Sequence, residues 1–238
     1  MLINLRTIHK PATLDEAVHL LQQPDTRALY GGAFVRENAK EVTDAVDLSA
    51  LGLSRITRDG NTLIIGSTAT LEKVRQYCLT IDSVIARALA DVLREEAPLS
   101  LRNVLTPGDV ISEGRGNSLL LTLFAVLGTR TSITRCGGVL IEARRVTLDS
   151  PTESCGYAFE KIARTPADAP IVGAVAWAEA GESRVAICGL LQMPTLYTFG
   201  MPAQISDYLG GTEYRTEMAK VLARRTLTRA EVMAGQIG

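Results

Sequence analysis

Two glycine-containing segments hold the residues of this 238-residue chain that are best suited to bind an anion. They read "YGGAF" at residues 30–34 and "TPGDV" at residues 106–110. Backbone N–H groups in a glycine turn can surround a phosphate, because glycine has no Cβ to keep the ligand at a distance. Glycine pairs also occur in ordinary turns, and neither segment matches the G-x-G-x-x-G or P-loop pattern. The two segments therefore leave open a shared phosphate site and a pair of plain turns.

Side chains for acid–base, nucleophilic or metal chemistry are scarce. His9 and His19 are the only histidines, and the four cysteines are dispersed without a C-x-x-C pair. We therefore predict no metal site in this chain alone, and no catalytic acid, base or nucleophile. Because free cysteine is usually buried, reduced and mostly buried thiols are expected at Cys78, Cys136, Cys155 and Cys188.

The composition is that of a globular protein without a charged binding surface. The chain is 46% hydrophobic and has a formal net charge of -1, so it can bury a substantial core and has no broad basic surface for nucleic acid or anionic lipid. No segment approaches the roughly 20 apolar residues of a membrane-spanning helix, and the first residues lack the apolar run of a secretory signal. We expect a cytoplasmic protein with no nucleic-acid partner and no membrane partner.

Helices and strands alternate in the N-terminal half. Thr13 and Glu16 have the spacing of a capping box, and the apolar residues that follow recur at helical intervals, so a helix is predicted over residues 13–23. Residues 81–97 form a second strongly periodic helix, which Pro98 should end. The remaining predictions in this half are strands at "RALYGG", "DAVDLSAL" and "TLIIG", and helices from Leu71 and at "SLLLTLFAVLG", ending at Gly128.

The C-terminal half has mostly strand character. Alternation and β-branched residues predict strands at "TSITR", "GVLIEARRVTL" and "SCGYAFEKIAR". Residues 170–192 predict two antiparallel strands joined at "EAGES", and helices are predicted at 201–209 and 213–235. Alternating elements followed by an antiparallel sheet with trailing helices indicate the α+β class.

Six segments in this order resemble the flavin subunit of the molybdenum hydroxylases, a family that includes the medium subunit of aerobic carbon monoxide dehydrogenase and the FAD domain of xanthine dehydrogenase. The segments are "KPATLDEAVHLLQ", "ALYGGAFV", "DAVDLSAL", "LIIGSTATLEKV", "SLRNVLTPGDVIS" and "FEKIARTPADAPIVGAVAWA". The resemblance implies a two-subdomain FAD-binding domain over residues 1–135, with subdomains at about 1–52 and 53–135, and a small C-terminal α+β domain over residues 136–238.

The resemblance also implies that the two glycine segments form one clamp for FAD. In the family, two loops, typically Ala-Gly-Gly-Thr and Thr-Ile-Gly-Gly-Asn, grip the pyrophosphate, and a lysine lies near the flavin. By this match the cofactor-binding residues are Tyr30, Gly31, Gly32, Ala33, Phe34, Thr106, Gly108, Asp109 and Lys161. A structural role for Lys161 stays open beside the flavin contact, because lysine is mostly an exposed residue.

The second loop departs from the family pattern at two positions. Asp109 stands where the family has its second glycine, and Val110 stands where it has asparagine; in the first loop Ala33 replaces the usual threonine. Like charges a few ångströms apart cost roughly 1 to 4 kcal/mol at effective dielectrics of 80 to 20. A carboxylate facing the pyrophosphate should therefore leave FAD weakly bound or lost.

Two functions follow from the resemblance and stay open. The first is an FAD-binding electron-transfer subunit of a molybdenum hydroxylase complex, which takes electrons from an iron–sulfur subunit and passes them to an external acceptor. A molybdopterin-containing large subunit completes such a complex. The second is a degenerate paralogue that has lost FAD and acts as a scaffold or assembly component. Asp109 and Val110 are the residues that discriminate between them.

Overall fold

The computed structural model of the chain describes residues 4–31, 42–114, 116–128, 131–136, 139–148 and 155–235. The chain divides into two compact units, each assembled from separate stretches of sequence. The first unit comprises Met1–Val74, Leu99–Glu113 and Thr131–Thr147, and the second comprises Arg75–Pro98, Gly114–Arg130 and Leu148–Gly238. The contiguous division into residues 1–135 and 136–238 stays a prediction. The observed mixture of helices and sheets confirms the α+β class.

The first unit contains a small parallel sheet of strands β1 (Thr7–His9), β2 (Thr26–Leu29) and β3 (Asp44–Asp47), in the order β1-β3-β2. Helix α1 (Leu14–Leu21) connects β1 to β2. The Oγ1 of Thr13 accepts the N–H of Glu16 at 3.3 Å, which confirms the predicted cap of this helix.

A four-stranded antiparallel sheet completes the strands of the first unit. It consists of β4 (Ile56–Asp59), β5 (Thr62–Gly66), β6 (Thr131–Cys136) and β7 (Val139–Thr147), in the order β4-β5-β7-β6. One apolar cluster joins α1, the end of β2 and the start of β7; its buried members are Ala17, Tyr30, Val46, Leu48, Val139 and Leu140.

Short helices carry the second glycine segment. Helix α2 (Leu71–Cys78) begins in the first unit, and α4 (Leu99–Arg102) and α5 (Pro107–Glu113) lie in it. The interpretation of residues 106–110 as a loop was wrong, because α5 starts at Pro107. Proline has no N–H to lose at a first helical position, and the hydroxyl of the preceding Thr106 accepts the N–H of Asp109 at 3.1 Å, as an N-cap does.

The second unit has helices α3 (Val84–Glu96), α6 (Leu119–Leu127) and α7 (Thr212–Met233) around an antiparallel sheet. The strands are β8 (Cys155–Ile162), β9 (Val172–Glu179), β10 (Glu182–Cys188) and β11 (Thr195–Leu196), in the order β11-β10-β9-β8. Both α6 and α7 pack on β9. Every residue of β9 is buried, although successive side chains point to opposite faces, so helices cover both faces of the sheet.

A tight turn and one glycine determine the local geometry of this sheet. Ala180 and Gly181 both have positive φ, at 52° and 82°, which is typical of a type I′ turn and confirms the hairpin predicted at "EAGES". A Cβ on Gly156 would lie 2.1 Å from the carbonyl oxygen of Ala230 in α7. Glycine is therefore required there for the helix backbone to approach β8.

The helix predicted at residues 201–209 was wrong. This segment is irregular, and its backbone hydrogen-bonds to another part of the chain. The N–H groups of Gln204 and Ile205 both donate to the carbonyl oxygen of Leu190, at 2.8 and 3.2 Å. These tertiary bonds satisfy donors that a helix would otherwise use.

Arg215 in α7 is buried, and its guanidinium holds the loops of the second unit together. It donates to the carbonyl oxygens of Ile171 at 2.5 Å and of Gly189 and Gly210 at 3.0 Å. It also pairs with the carboxylate of Asp207 at 2.7 Å. The rigid fork of donors on arginine suits this arrangement.

The thiols are free, as predicted: Cys78, Cys155 and Cys188 are buried, and Cys136 is half-buried. Burial raises the pKa of the Cys78 and Cys188 thiols to about 12. Because the thiolate is the reactive form, these two thiols are unreactive at neutral pH. Among the described residues, no helix is long and apolar enough to cross a membrane.

The replacement Arg215→Met should lower the free energy of unfolding by roughly 3 kcal/mol, because three carbonyl groups and a carboxylate each lose the hydrogen bond that Arg215 donates. Chemical denaturation measures the effect. Lys220→Met is the matched control, since Lys220 lies on the same helix and pairs with the exposed Glu217; it should change stability by less than about 1 kcal/mol. Equal losses in the two variants would contradict the role of Arg215.

A thiol-specific reagent such as Ellman's reagent should modify Cys136 first in the native protein, because Cys136 is the one thiol that is not fully buried. The other thiols should react only after denaturant is added. The variant Cys136→Ser should lack the fast phase, and rapid labelling of Cys78 or Cys188 in the native protein would refute this assignment.

Candidate functional site

The first glycine segment begins where β2 ends. The Tyr30 side chain is buried in the apolar cluster of the first unit, and its hydroxyl accepts the N–H of Leu140 at 2.9 Å. This bond fixes the entrance of the segment to the start of β7. Gly32, Ala33 and Phe34 lie outside the described residues, so the described part of this segment is Tyr30 and Gly31.

The second segment is held by bonds within its own first helical turn and to the loop after β5. The N–H of Gly108 donates to the carbonyl oxygen of Ser67 at 3.0 Å, and the N–H of Val110 donates to that of Thr106 at 3.2 Å. The N–H of Asp109 donates to the Thr106 hydroxyl. All three donors therefore have acceptors within the protein.

Asp109 joins the two segments. Its Oδ1 accepts the N–H of Gly31 at 3.1 Å. Its Oδ2 accepts both the N–H and the hydroxyl of Thr106, at 3.0 and 2.8 Å. The residue is only 5% exposed, and a carboxylate can be buried there because donors from both segments converge on it.

The glycines serve the close contact between these segments. A Cβ on Gly31 would lie 2.3 Å from the carbonyl oxygen of Val104 and 2.5 Å from Oδ2 of Asp109. A Cβ on Gly108 would lie 2.4 Å from the Tyr30 ring and 2.5 Å from the carbonyl oxygen of Ser67. The space that a glycine leaves for a ligand is thus filled by protein atoms at both positions.

A buried ion pair fixes the chain just before the second segment. Arg102 in α4 contacts Glu72 in α2 at 2.7 Å, with both side chains at most 10% exposed. The N–H of Leu71 also donates to the carbonyl oxygen of Leu105 at 2.8 Å. These contacts fix the chain that leads into Thr106.

Lys161 lies in β8 of the second unit, and its ammonium contacts the backbone. It donates to the carbonyl oxygens of Glu95, Pro166 and Asp168, at 2.8, 2.9 and 3.2 Å. These bonds use the three donors of a lysine, which agrees with the structural alternative. The flavin contact of Lys161 stays a prediction that requires one of them to break.

Sequence reasoning missed that Asp109 hydrogen-bonds to both segments, although part of the signal was present. Thr106 and Asp109 have the same spacing as Thr13 and Glu16, which we identified as a capping box. The ion pair between Glu72 and Arg102 joins residues 30 positions apart and leaves no local pattern.

The chain is thus an α+β protein in which two glycine segments meet within the first unit. The family model described as "FAD binding domain in molybdopterin dehydrogenase" matches residues 4–156. The carbon monoxide dehydrogenase medium chain of Afipia carboxidovorans is 26% identical, and the match covers 95% of this chain and 96% of that protein.

Solved structures have the same fold. Reconstituted CO dehydrogenase from Oligotropha carboxidovorans matches with a TM-score of 0.80 and 21% identity, over 95% of this chain and 98% of the other. Quinoline 2-oxidoreductase from Pseudomonas putida 86 matches with a TM-score of 0.77 and 19% identity, over 96% and 97% of the two chains. The chain belongs to the FAD-binding family of the molybdopterin dehydrogenases, as its sequence predicted, and this membership supports FAD as its cofactor.

The described part of the clamp does not fit a pyrophosphate in this conformation. The N–H groups of Gly31 and Thr106 donate to Asp109, and those of Gly108, Asp109 and Val110 donate to other protein oxygens. A carboxylate occupies the point where the segments meet. Of the residues expected to hold the cofactor, Tyr30, Gly31, Thr106, Gly108 and Asp109 are thus brought together, but the N–H groups of the last four are already used.

The replacement Tyr30→Phe should lower the free energy of unfolding by about 1 to 3 kcal/mol, because it leaves the N–H of Leu140 buried without its acceptor. Thermal and denaturant unfolding measure this loss. Tyr208→Phe is the control, since Tyr208 is 86% exposed and should tolerate the change. A stability of Tyr30→Phe equal to that of the unmodified chain would refute the anchoring role of the hydroxyl.

Proposed function

We propose that this chain is the medium-type subunit of a molybdenum hydroxylase complex and transfers electrons through FAD to an external acceptor. The observation that supports this most strongly is the family match together with near full-length similarity to a carbon monoxide dehydrogenase medium chain. FAD would supply the redox chemistry when bound, and the protein would supply its position and its electrostatic surroundings.

The proposed partners are an iron–sulfur subunit and a molybdopterin-containing large subunit. Among the described residues, no group of three or more His, Cys, Asp or Glu side chains could hold a metal ion. In this proposal the metal centres reside in the partners, and this chain is the branch that leads to the acceptor. A cytoplasmic location stays a prediction.

The proposed cofactor-binding residues are the backbone groups of Gly31, Thr106 and Gly108, with Tyr30 anchoring the first segment. Gly32, Ala33 and Phe34 complete the clamp in this proposal, as their match to the family loop suggests. Glycine allows close approach of a phosphate. Each of these donors must first be released from the acceptor that it now has.

A second candidate function is favoured by the position of Asp109. Its carboxylate accepts bonds from both Gly31 and Thr106, so the described parts of the two segments are held together without a cofactor. In this alternative the chain has lost FAD and serves as a scaffold or assembly component in the same complex. The two candidates share the partners and differ in flavin content.

An apolar strip close in sequence to the clamp is the proposed contact with the iron–sulfur subunit. Leu99, Leu101 and Val104 are all exposed, and Leu99 is 55% exposed. Contiguous exposed apolar patches mark protein–protein contacts, and three such side chains within six residues are the candidate patch in the described part of this unit. They belong to the first unit, just before Thr106.

Purification of the tagged chain from its native host should recover an iron- and molybdenum-containing complex, measured by elemental analysis and mass spectrometry. The double variant Leu99→Glu, Leu101→Glu should recover less iron, because charges replace the apolar contact. Leu79→Glu is the matched control, since Leu79 is 58% exposed and lies outside the strip.

The flavin content of that complex separates the two candidates. Stoichiometric flavin by visible absorbance supports electron transfer, and a complex with iron but no flavin supports the scaffold. Recovery of the free chain alone, without any iron–sulfur partner, would contradict both.

A further inference from the structure

We infer that Asp109 is a built-in substitute for the FAD pyrophosphate: its carboxylate holds the two segments of the clamp together and competes with the cofactor for the same N–H donors. The inference rests on the proposed function, because it identifies the clamp as the FAD site. It adds a reason within the chain for how strongly that site binds its cofactor.

The geometry makes the carboxylate an acceptor shared by both sides. One oxygen accepts from Gly31 in the first segment, and the other accepts from the N–H and the hydroxyl of Thr106 in the second. Asp109 is buried, so water does not weaken these charge-assisted bonds. An anion from the chain itself thus occupies the point at which the segments would contact a pyrophosphate.

The packing around Gly31 supports the same conclusion independently of the hydrogen bonds. The direction of its missing Cβ is filled within 2.3 Å by the carbonyl oxygen of Val104 and within 2.8 Å by the Thr106 methyl group. A phosphate cannot approach this face of Gly31 while the second segment stays in place. Contact between FAD and this face of Gly31 therefore requires the second segment to move as well as the carboxylate to leave.

Two consequences distinguish this arrangement from a merely repulsive residue. The carboxylate stabilises the cofactor-free protein, because it satisfies donors that would otherwise be buried without a partner. It also weakens FAD binding, because the cofactor must break those bonds and meets a like charge. Removal of the carboxylate should change stability and affinity in opposite directions.

The test compares the unmodified chain with Asp109→Asn, Asp109→Gly and the control Glu16→Gln. Glu16 is also a carboxylate that caps a helix in the first unit, where it accepts the N–H of Ala12 at 2.9 Å. Calorimetric titration gives the FAD dissociation constant of each purified protein, and thermal unfolding without and with FAD gives its stability.

We expect FAD affinity to rise in the order unmodified chain, Asp109→Asn, Asp109→Gly, with a gain of about tenfold or more for the last. The melting temperature without FAD should fall in the same order. Saturating FAD should raise the melting temperature of Asp109→Gly, since a ligand stabilises the state that binds it. Glu16→Gln should lose some stability and keep the affinity of the unmodified chain.

Tight FAD binding by the unmodified chain, with no gain in either Asp109 variant, would overturn the inference. So would folded Asp109 variants that bind FAD no better than the unmodified chain, because the carboxylate would then not be what excludes it. Neither result depends on a partner subunit. Failure of the proposed function appears instead as the absence of an iron–sulfur partner from the purified complex.

Discussion

A buried carboxylate must be surrounded by hydrogen-bond donors, and this requirement at Asp109 organises the first unit. One donor is Gly31, which lies 78 positions from Asp109 in sequence, and the other is Thr106, which lies 3 positions away. These donors can meet because Gly31, just after β2, lies beside the start of α5. The Tyr30 hydroxyl accepts the N–H of Leu140 and so holds the end of β2 against β7. The ion pair of Arg102 with Glu72 positions the chain that leads into α5.

The second unit uses buried or half-buried cations in a comparable way. Arg215 and Lys161 each donate to three backbone carbonyl oxygens from loops and element ends. Carbonyl groups in irregular segments cannot be satisfied by a sheet or helix, and burying them without a donor is unfavourable. A single long cation can satisfy several of them at once, as Arg215 and Lys161 do in this structure.

Local patterns were sufficient to predict most of the elements, and they failed where distant contacts decide the conformation. The cap at Thr13 and the two-residue turn at Ala180 and Gly181 follow from nearby residues. The irregular segment at 201–209 instead bonds to Leu190, which no periodicity reveals. The start of α5 has a local signal, because Thr106 precedes Pro107 and Asp109 lies three positions after Thr106. Gly108 in the same segment is also typical of a turn.

For the candidate site, the resemblance predicted which segments meet, and only the structure shows which atoms face each other. From the sequence, Asp109 could repel a phosphate or point away from it. In the structure, Asp109 points toward the meeting point of the two segments. Its oxygens accept the N–H groups of Gly31 and Thr106, which are the proposed donors to the cofactor. Carboxylate and phosphate oxygens seek the same donors. In the inferred competition, a glycine at this position would leave the N–H groups of Gly31 and Thr106 to the cofactor, whereas Asp109 supplies an anion from within the chain.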